Sequence, residues 1–176
     1  MAHTGMKITN PVSGETITFV TTAAESDGEL LAFDLELTPD GKVPGLHVHP
    51  EQTECFRVVE GTMRFKLGRK TIVASAGDIV TVPPSKAHKF ANGGDGVARA
   101  HVEVRPALQM AELLETAVRL AEDGRTLPSG MPRPFALAQF TRKFRREVRG
   151  AFPPAWVQQV TMAPLALIAR RPLPAV

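Results

Sequence analysis

The feature that most limits the possible folds is a change of hydrophobic period near Pro106. Before it, apolar residues recur at alternate positions in short runs separated by Gly, Pro and Asp, the pattern of strands with one buried face. Residues 16–20 and 30–37 alternate in this way, and Pro39-Asp40-Gly41 is a turn signal. Within Thr62–Leu67, Met63, Phe65 and Leu67 fall on one face and Thr62, Arg64 and Lys66 on the other. Gly68-Arg69-Lys70 then reverses the chain into residues 71–73, which predicts a hairpin. Ile79–Val82 and residues 97–104 supply further strands. Many short antiparallel strands at this spacing predict a sandwich or a barrel.

After Pro106 the period lengthens. Leu108, Ala111, Leu114, Ala117, Val118 and Ala121 share one helical face, and Gly124 stands where a C-terminal cap is expected. Pro128 and Gly130 mark a loop. A second helix is predicted over residues 135–148, with Leu137, Phe140, Thr141, Phe144 and Val148 inward. Pro153-Pro154 opens a shorter apolar segment that ends before Arg170-Arg171. Residues 1–6 are set aside as a disordered start. Residues 7–106 are assigned to the β domain, and 107–176 to a helical extension packed on that domain or on a partner subunit.

At 176 residues the chain has the size of one domain able to bury a real core. The lone Cys55 excludes an intramolecular disulfide framework and fits a reducing compartment. Residues 1–6 lack the apolar stretch of a secretory signal, so a cytoplasmic location is expected. No apolar run approaches the roughly 18 residues of a membrane span. The net charge of +3 hides an asymmetry: 13 Lys/Arg against 17 Asp/Glu up to Pro132, then 8 against a single Glu147 from Arg133 onward.

The chemistry is concentrated in two stretches. In the first, five residues separate Gly41 from His47, one separates His47 from His49, four separate His49 from Glu54, and six separate Glu54 from Gly61. Strand alternation puts His47 and His49 on one face, and the bend at Pro50 lets Glu54 return toward it. Two imidazoles and a carboxylate suit a borderline divalent ion such as manganese, iron, nickel or zinc. The second stretch runs from Gly77 through Pro83, Ser85, Lys86 and Ala87 to His88, then on to Asn92. His88 follows a Pro-Pro turn and is the fourth candidate ligand.

These two stretches resemble the paired motifs of the cupin superfamily. The first agrees at every defining position; the second agrees except that Ser85 stands where the family usually has Gly, a departure that concerns a turn. The 15 residues between Gly61 and Gly77 make a short hairpin. The resemblance covers residues 7–106. It implies a mainly β fold, a double-stranded β-helix or jelly-roll barrel, followed here by two or three C-terminal helices. It also implies one divalent metal ion at the barrel's centre and a tendency to homodimerise. Four protein ligands leave one or two positions for water, dioxygen or a substrate oxygen.

Side-chain parity nominates the surrounding wall. If Glu54 points inward, so do Phe56 and Val58; Met63 and Phe65 join from the next strand, Phe90 follows His88 by two, and Gln52 is a polar contact at the rim. All of these are equally compatible with plain core. His101, Glu103 and Arg105 share one face of the last strand. Were that face interior, Glu103 would be a candidate general base; were it exterior, the three form a solvated charge cluster. Cys55 has the opposite parity to Glu54 and is expected to face away from the metal as a small hydrophobe.

Arg142, Lys143, Arg145, Arg146 and Arg149 are expected on the second helix opposite Phe140 and Phe144. One reading is a surface for anionic lipid or nucleic acid, with Trp156 and residues 163–169 lying in a membrane interface. Without aromatic interleaving or a nucleic-acid motif, the favoured reading is a solvated helix packing its apolar stripe. Two functional classes follow. The leading one is an enzyme acting on a small aromatic or polyketide-like molecule by oxygenation, isomerisation or cyclisation. The rival is a metal-stabilised binding or sensing module whose tail meets a partner.

Overall fold

The computed structural model describes residues 2–169 and 171–176; Met1 and Arg170, at the expected start and last boundary, lie outside them. Among the described residues, eleven strands form two antiparallel sheets. The first, in spatial order, contains β1 (Lys7–Asn10), β2 (Glu15–Thr21), β3 (Leu31–Leu37), β10 (Ala98–Arg105), β5 (Thr53–Glu60) and β8 (Ile79–Val82). The second contains β11 (Arg149–Gly150), β4 (His47–Val48), β9 (His88–Asn92), β6 (Thr62–Leu67) and β7 (Lys70–Ser75). The sheets face each other in the jelly-roll manner but remain two sheets, without a hydrogen-bonded closure.

Alternation drives this architecture. On β10, Ala98, Ala100, Val102 and Val104 are buried, while Arg99, His101, Glu103 and Arg105 alternate with them on the outside. Leu35 and Leu37 of β3, Phe56 and Val58 of β5, and Met63 and Phe65 of β6 fill the space between the sheets. The turn from β5 to β6 requires Gly61. Its φ is +71°, and a Cβ there would lie 2.6 Å from the Val97 carbonyl oxygen.

Residues 2–6, expected to be a disordered start, run beside β2: Gly5 N–H donates to Phe19 O and Phe19 N–H to Met6 O. Helix α1 (Met110–Glu122) ends as its sequence predicts. Gly124 N–H donates to Ala121 O and Arg125 N–H to Leu120 O, a Schellman closure. Helix α2 (Pro134–Lys143) stops five residues earlier than expected. The chain turns at Phe144 and pairs as β11 with β4, Arg149 opposite Val48 and Gly150 opposite His47. Phe140, Phe144 and Val148 still pack inward, so spacing that reads as one helix is satisfied by a helix, a turn and a strand. Arg142 and Lys143 therefore lie on the helix, Arg145 and Arg146 in the turn, and Arg149 in β11. Helix α3 (Ala155–Ile168) packs against α2. Among the described residues no helix is long and apolar enough to cross a membrane.

Candidate metal centre

Four side chains separated by up to 41 positions meet between the two sheets. β4 and β9 pair with His47 directly opposite His88, and their rings stand 4.3 Å apart between centroids. His49 lies just beyond β4, at 5.0 Å from the His47 ring and 5.1 Å from that of His88. Glu54 enters from β5 in the other sheet. Its Oε2 is 2.9 Å from His88 Nε2 and 3.2 Å from His49 Nε2. One ligand atom from each of the four lies within 4.8 Å of the others. His49, Glu54 and His88 are buried and His47 is half-buried.

The imidazoles are held with the same nitrogen facing the cluster. Nδ1 of His47 contacts Gly45 O at 3.3 Å, that of His49 contacts Glu147 O at 2.5 Å, and that of His88 contacts Lys86 O at 3.1 Å. A carbonyl oxygen only accepts, so each Nδ1 carries a proton and each Nε2 is the nitrogen turned to the centre. His49 Nε2 is buried and makes no aligned hydrogen bond, despite its approach to Glu54. Burial and the neighbouring His88 and His49 push the His47 pKa down to about 3, only partly opposed by Glu54. Burial works against ionisation of Glu54, but His49 and His88 outweigh it and hold the carboxyl well below its usual range. Desolvation disfavours charge on His49, yet Glu54 and the Glu147 carbonyl leave its pKa raised. A carboxylate and three imidazole Nε2 atoms, that of His49 buried without a hydrogen-bond partner, are a ligand set that fits a divalent metal.

His47, His49 and Glu54 of the cluster line a cavity of about 180 Å³. Ile17, Phe33, Leu35, Phe56 and Phe90 contribute apolar surface from the sheets. Met110, Leu113 and Leu114 of α1, with Leu137 and Phe140 of α2, close the far side. An apolar cavity of roughly 150 Å³ accommodates a benzene-sized molecule, so the space suits a small ring compound.

Of the residues nominated for the wall, Phe56 and Phe90 stand in it. Gln52, Val58, Met63 and Phe65 do not border the cavity. Val58, Met63 and Phe65 are fully buried in the packed core. Gln52 is buried too, its Nε2 donating to the Pro106 and Ala107 carbonyls. Parity put these side chains on the inner side of their strands but could not say how far along the strand the cavity extends. Glu103 lies on the outer face, bonded to Arg105 at 3.3 Å, and His101 pairs with Asp34 at 2.8 Å. The exterior alternative therefore describes this trio, because Val102 and Val104 occupy the interior positions. Cys55 also faces away from the cluster and accepts a contact from Thr81 Oγ1 at 3.8 Å.

Sequence reasoning missed Glu15. It precedes Ile17 and Phe19 by two and four positions on β2, shares their inward parity and lines the cavity. Starting the strand at Thr16 concealed it; extending the same alternation by one residue would have found it. Also missed was the contribution of the extension, whose Glu147 carbonyl fixes His49 and whose Val148 and Gly150 border the cavity.

Two facing antiparallel sheets with a three-histidine, one-glutamate cluster between them define a cupin-like protein. A family model for the cupin domain matches residues 33–104. Among solved structures, a Thermotoga maritima protein described as a predicted oxalate decarboxylase is similar over 58% of this chain and 92% of its own, with 20% identity and a TM-score of 0.52. KdgF from Halomonas sp. is similar over 60% of this chain and 93% of its own, with 15% identity and a TM-score of 0.52. At these identities the likeness is one of fold. No curated protein matches the chain in sequence.

Proposed function

We propose that His47, His49, Glu54 and His88 hold one divalent ion, drawn from manganese, iron, nickel and zinc, and that the chain is an enzyme acting there on a small, largely apolar organic molecule. The observation that carries this is the convergence of four ligand atoms within 4.8 Å beside an apolar cavity of about 180 Å³. Bound there, the ion supplies Lewis acidity toward a substrate oxygen. The protein does the rest: the Gly45, Glu147 and Lys86 carbonyls orient the rings, while the aromatic and aliphatic walls select an aromatic or polyketide-like body and exclude water. Oxygenation, isomerisation and cyclisation are the reaction classes this arrangement serves.

A second reading is a binding or sensing module without turnover. It is favoured by Leu137, Phe140, Thr141 and Val148 of the extension bordering the cavity, which would couple occupancy to the position of the tail. The deciding experiment is elemental analysis of protein purified without added metal, beside a His88→Ala variant. One equivalent of a divalent metal in the parent and loss in the variant are expected. A metal-free parent that takes up none on incubation overturns the reading. Turnover of a panel of small aromatic ketones and phenols separates the enzyme from the module.

A further inference from the structure

The cavity contains a second carboxyl that the metal cluster does not use. Glu15 stands on β2, opposite Leu37 of β3 in the ladder, and its parity with the buried Ile17 and Phe19 turns it inward. β2 and β5 are three strand spacings apart in the first sheet, roughly 14 Å between backbones. Glu15 and Glu54 nevertheless line the same cavity. Glu15 is not among the four residues whose ligand atoms cluster within 4.8 Å. A molecule bound in the cavity therefore meets the Glu15 carboxyl as well as the cluster.

The surroundings of Glu15 are those of a working group rather than a structural one. Ile17, Phe33 and Leu35 share the lining of the cavity with it. Asn10, its ladder partner on β1, spends its Oδ1 on the Val12 and Ser13 N–H groups. No ion pair to Glu15 is found among the described residues, whereas the outer carboxylates Asp34, Glu36 and Glu103 each meet a His or Arg. Placing a carboxyl in apolar surroundings without a cation costs stability, and such sites concentrate where proton chemistry is done. Burial raises the Glu15 pKa to about 7, opposed by the Ser13 hydroxyl and reinforced by the charge of Glu54. A group near neutrality is present in both forms and can take a proton and give it back.

We propose that Glu15 is the proton-transferring residue of the cavity, abstracting a proton from the carbon next to a carbonyl of the bound molecule and returning it elsewhere on that molecule. This rests on the metal-site reading above and narrows it to isomerisation or cyclisation of carbonyl compounds. The C–H bond breaks and its proton passes to a Glu15 carboxylate oxygen. The electron pair moves into the new C=C bond as the carbonyl π pair withdraws onto oxygen. Glu15 then delivers the proton to another carbon or to that oxygen, so no oxidant or reductant is consumed.

Acetophenone, a ring of suitable size with exchangeable hydrogens beside one carbonyl, is the probe. Zinc-loaded protein in D2O should accelerate loss of the methyl proton signal. Glu15→Gln should slow that exchange by about 100-fold, with zinc content and acetophenone binding by saturation-transfer NMR retained; Glu15→Asp should recover part of the rate. Binding without accelerated exchange, or equal exchange in Glu15→Gln, overturns the role of Glu15 and leaves the site reading standing. Failure to bind either zinc or acetophenone overturns both. In metal-free protein, dicyclohexylcarbodiimide, which modifies protonated carboxyls in apolar surroundings, should label Glu15 at about pH 6 and far less at about pH 9. Absence of label on Glu15 at the lower pH also overturns the proposal.

Discussion

The raised pKa of Glu15 makes a quantitative demand on stability. In the folded chain the carboxyl keeps its proton up to about 7, whereas at the ordinary value of 4.5 an unfolded chain has released it. Between those values the unfolded state binds fewer protons, so stability falls as pH rises. The contribution is fully present below about 4.5 and is lost as pH climbs through about 7. At ~1.4 kcal/mol for each tenfold change in proton affinity, the whole effect is about 3 kcal/mol, of which about 2 kcal/mol falls between roughly pH 5.5 and 8.5. A glutamine has nearly the same shape and does not titrate. Urea unfolding of metal-free parent and Glu15→Gln across that range should show the two curves separating, the variant becoming relatively more stable by about 2 kcal/mol at the alkaline end. With a typical slope this is a midpoint difference of about 1 M urea. Other titrating groups are common to both proteins and cancel to first order. Parallel pH dependences would refute the reasoning, because they would mean that Glu15 is as well solvated in the fold as in the unfolded chain.

Three further outcomes are expected. A divalent metal at about 100 times its dissociation constant should stabilise the parent by about 3 kcal/mol, read as a rise in Tm of roughly 5–10 °C by scanning calorimetry and absent in His88→Ala. Gly61→Ala forces a methyl to within 2.6 Å of the Val97 carbonyl at a φ of +71°, and should cost about 2 kcal/mol or more in urea unfolding. Phe56→Ala removes a ring that stands 5.1 Å from those of both Phe65 and Phe90. It should cost about 3–5 kcal/mol and enlarge the cavity enough to change which aromatic ketones bind.

Much of the fold was legible because alternation is a direct physical record of one buried face. Residues 30–37 and Thr62–Leu67 carry that record strongly, and β3 and β6 appear there. The grouping of His47, His49, Glu54 and His88 was legible for a related reason: His47 and His49 alternate along one segment that begins as β4, and turn residues return the others. Ser85 shows what motif spacing alone conceals. Its φ is +61°, a left-handed conformation that glycine adopts freely. Here the Ser85 N–H donates to His49 O at 2.7 Å, tying the turn to the loop that carries a candidate ligand. What sequence could not supply was distance. Parity treats Phe56 and Met63 alike, yet one borders the cavity and the other lies in solid core. The end of α2 was misplaced because Phe140, Phe144 and Val148 have helical spacing, while the free edge of β4 offers hydrogen bonds that draw residues 149–150 into a sheet.

The basic extension is better understood through the body it lies on than through its own charge. Arg146 pairs with Glu51 of the β domain at 2.6 Å, while Lys143 pairs with Glu112 at 2.6 Å and Arg171 with Asp123 at 3.1 Å, both within the extension. Each pair is exposed, and exposed ion pairs contribute little to stability. They orient the extension more than they hold it. Its attachment comes from Phe140 and Phe144, both buried, with rings 5.0 Å apart and joined to the main core cluster. That packing places the Glu147 carbonyl against His49 Nδ1 and Val148 against the cavity. A candidate metal centre whose His49 imidazole is oriented from outside the cupin domain cannot be ascribed to that domain alone. The extension therefore takes part in the candidate site through the Glu147 carbonyl and Val148.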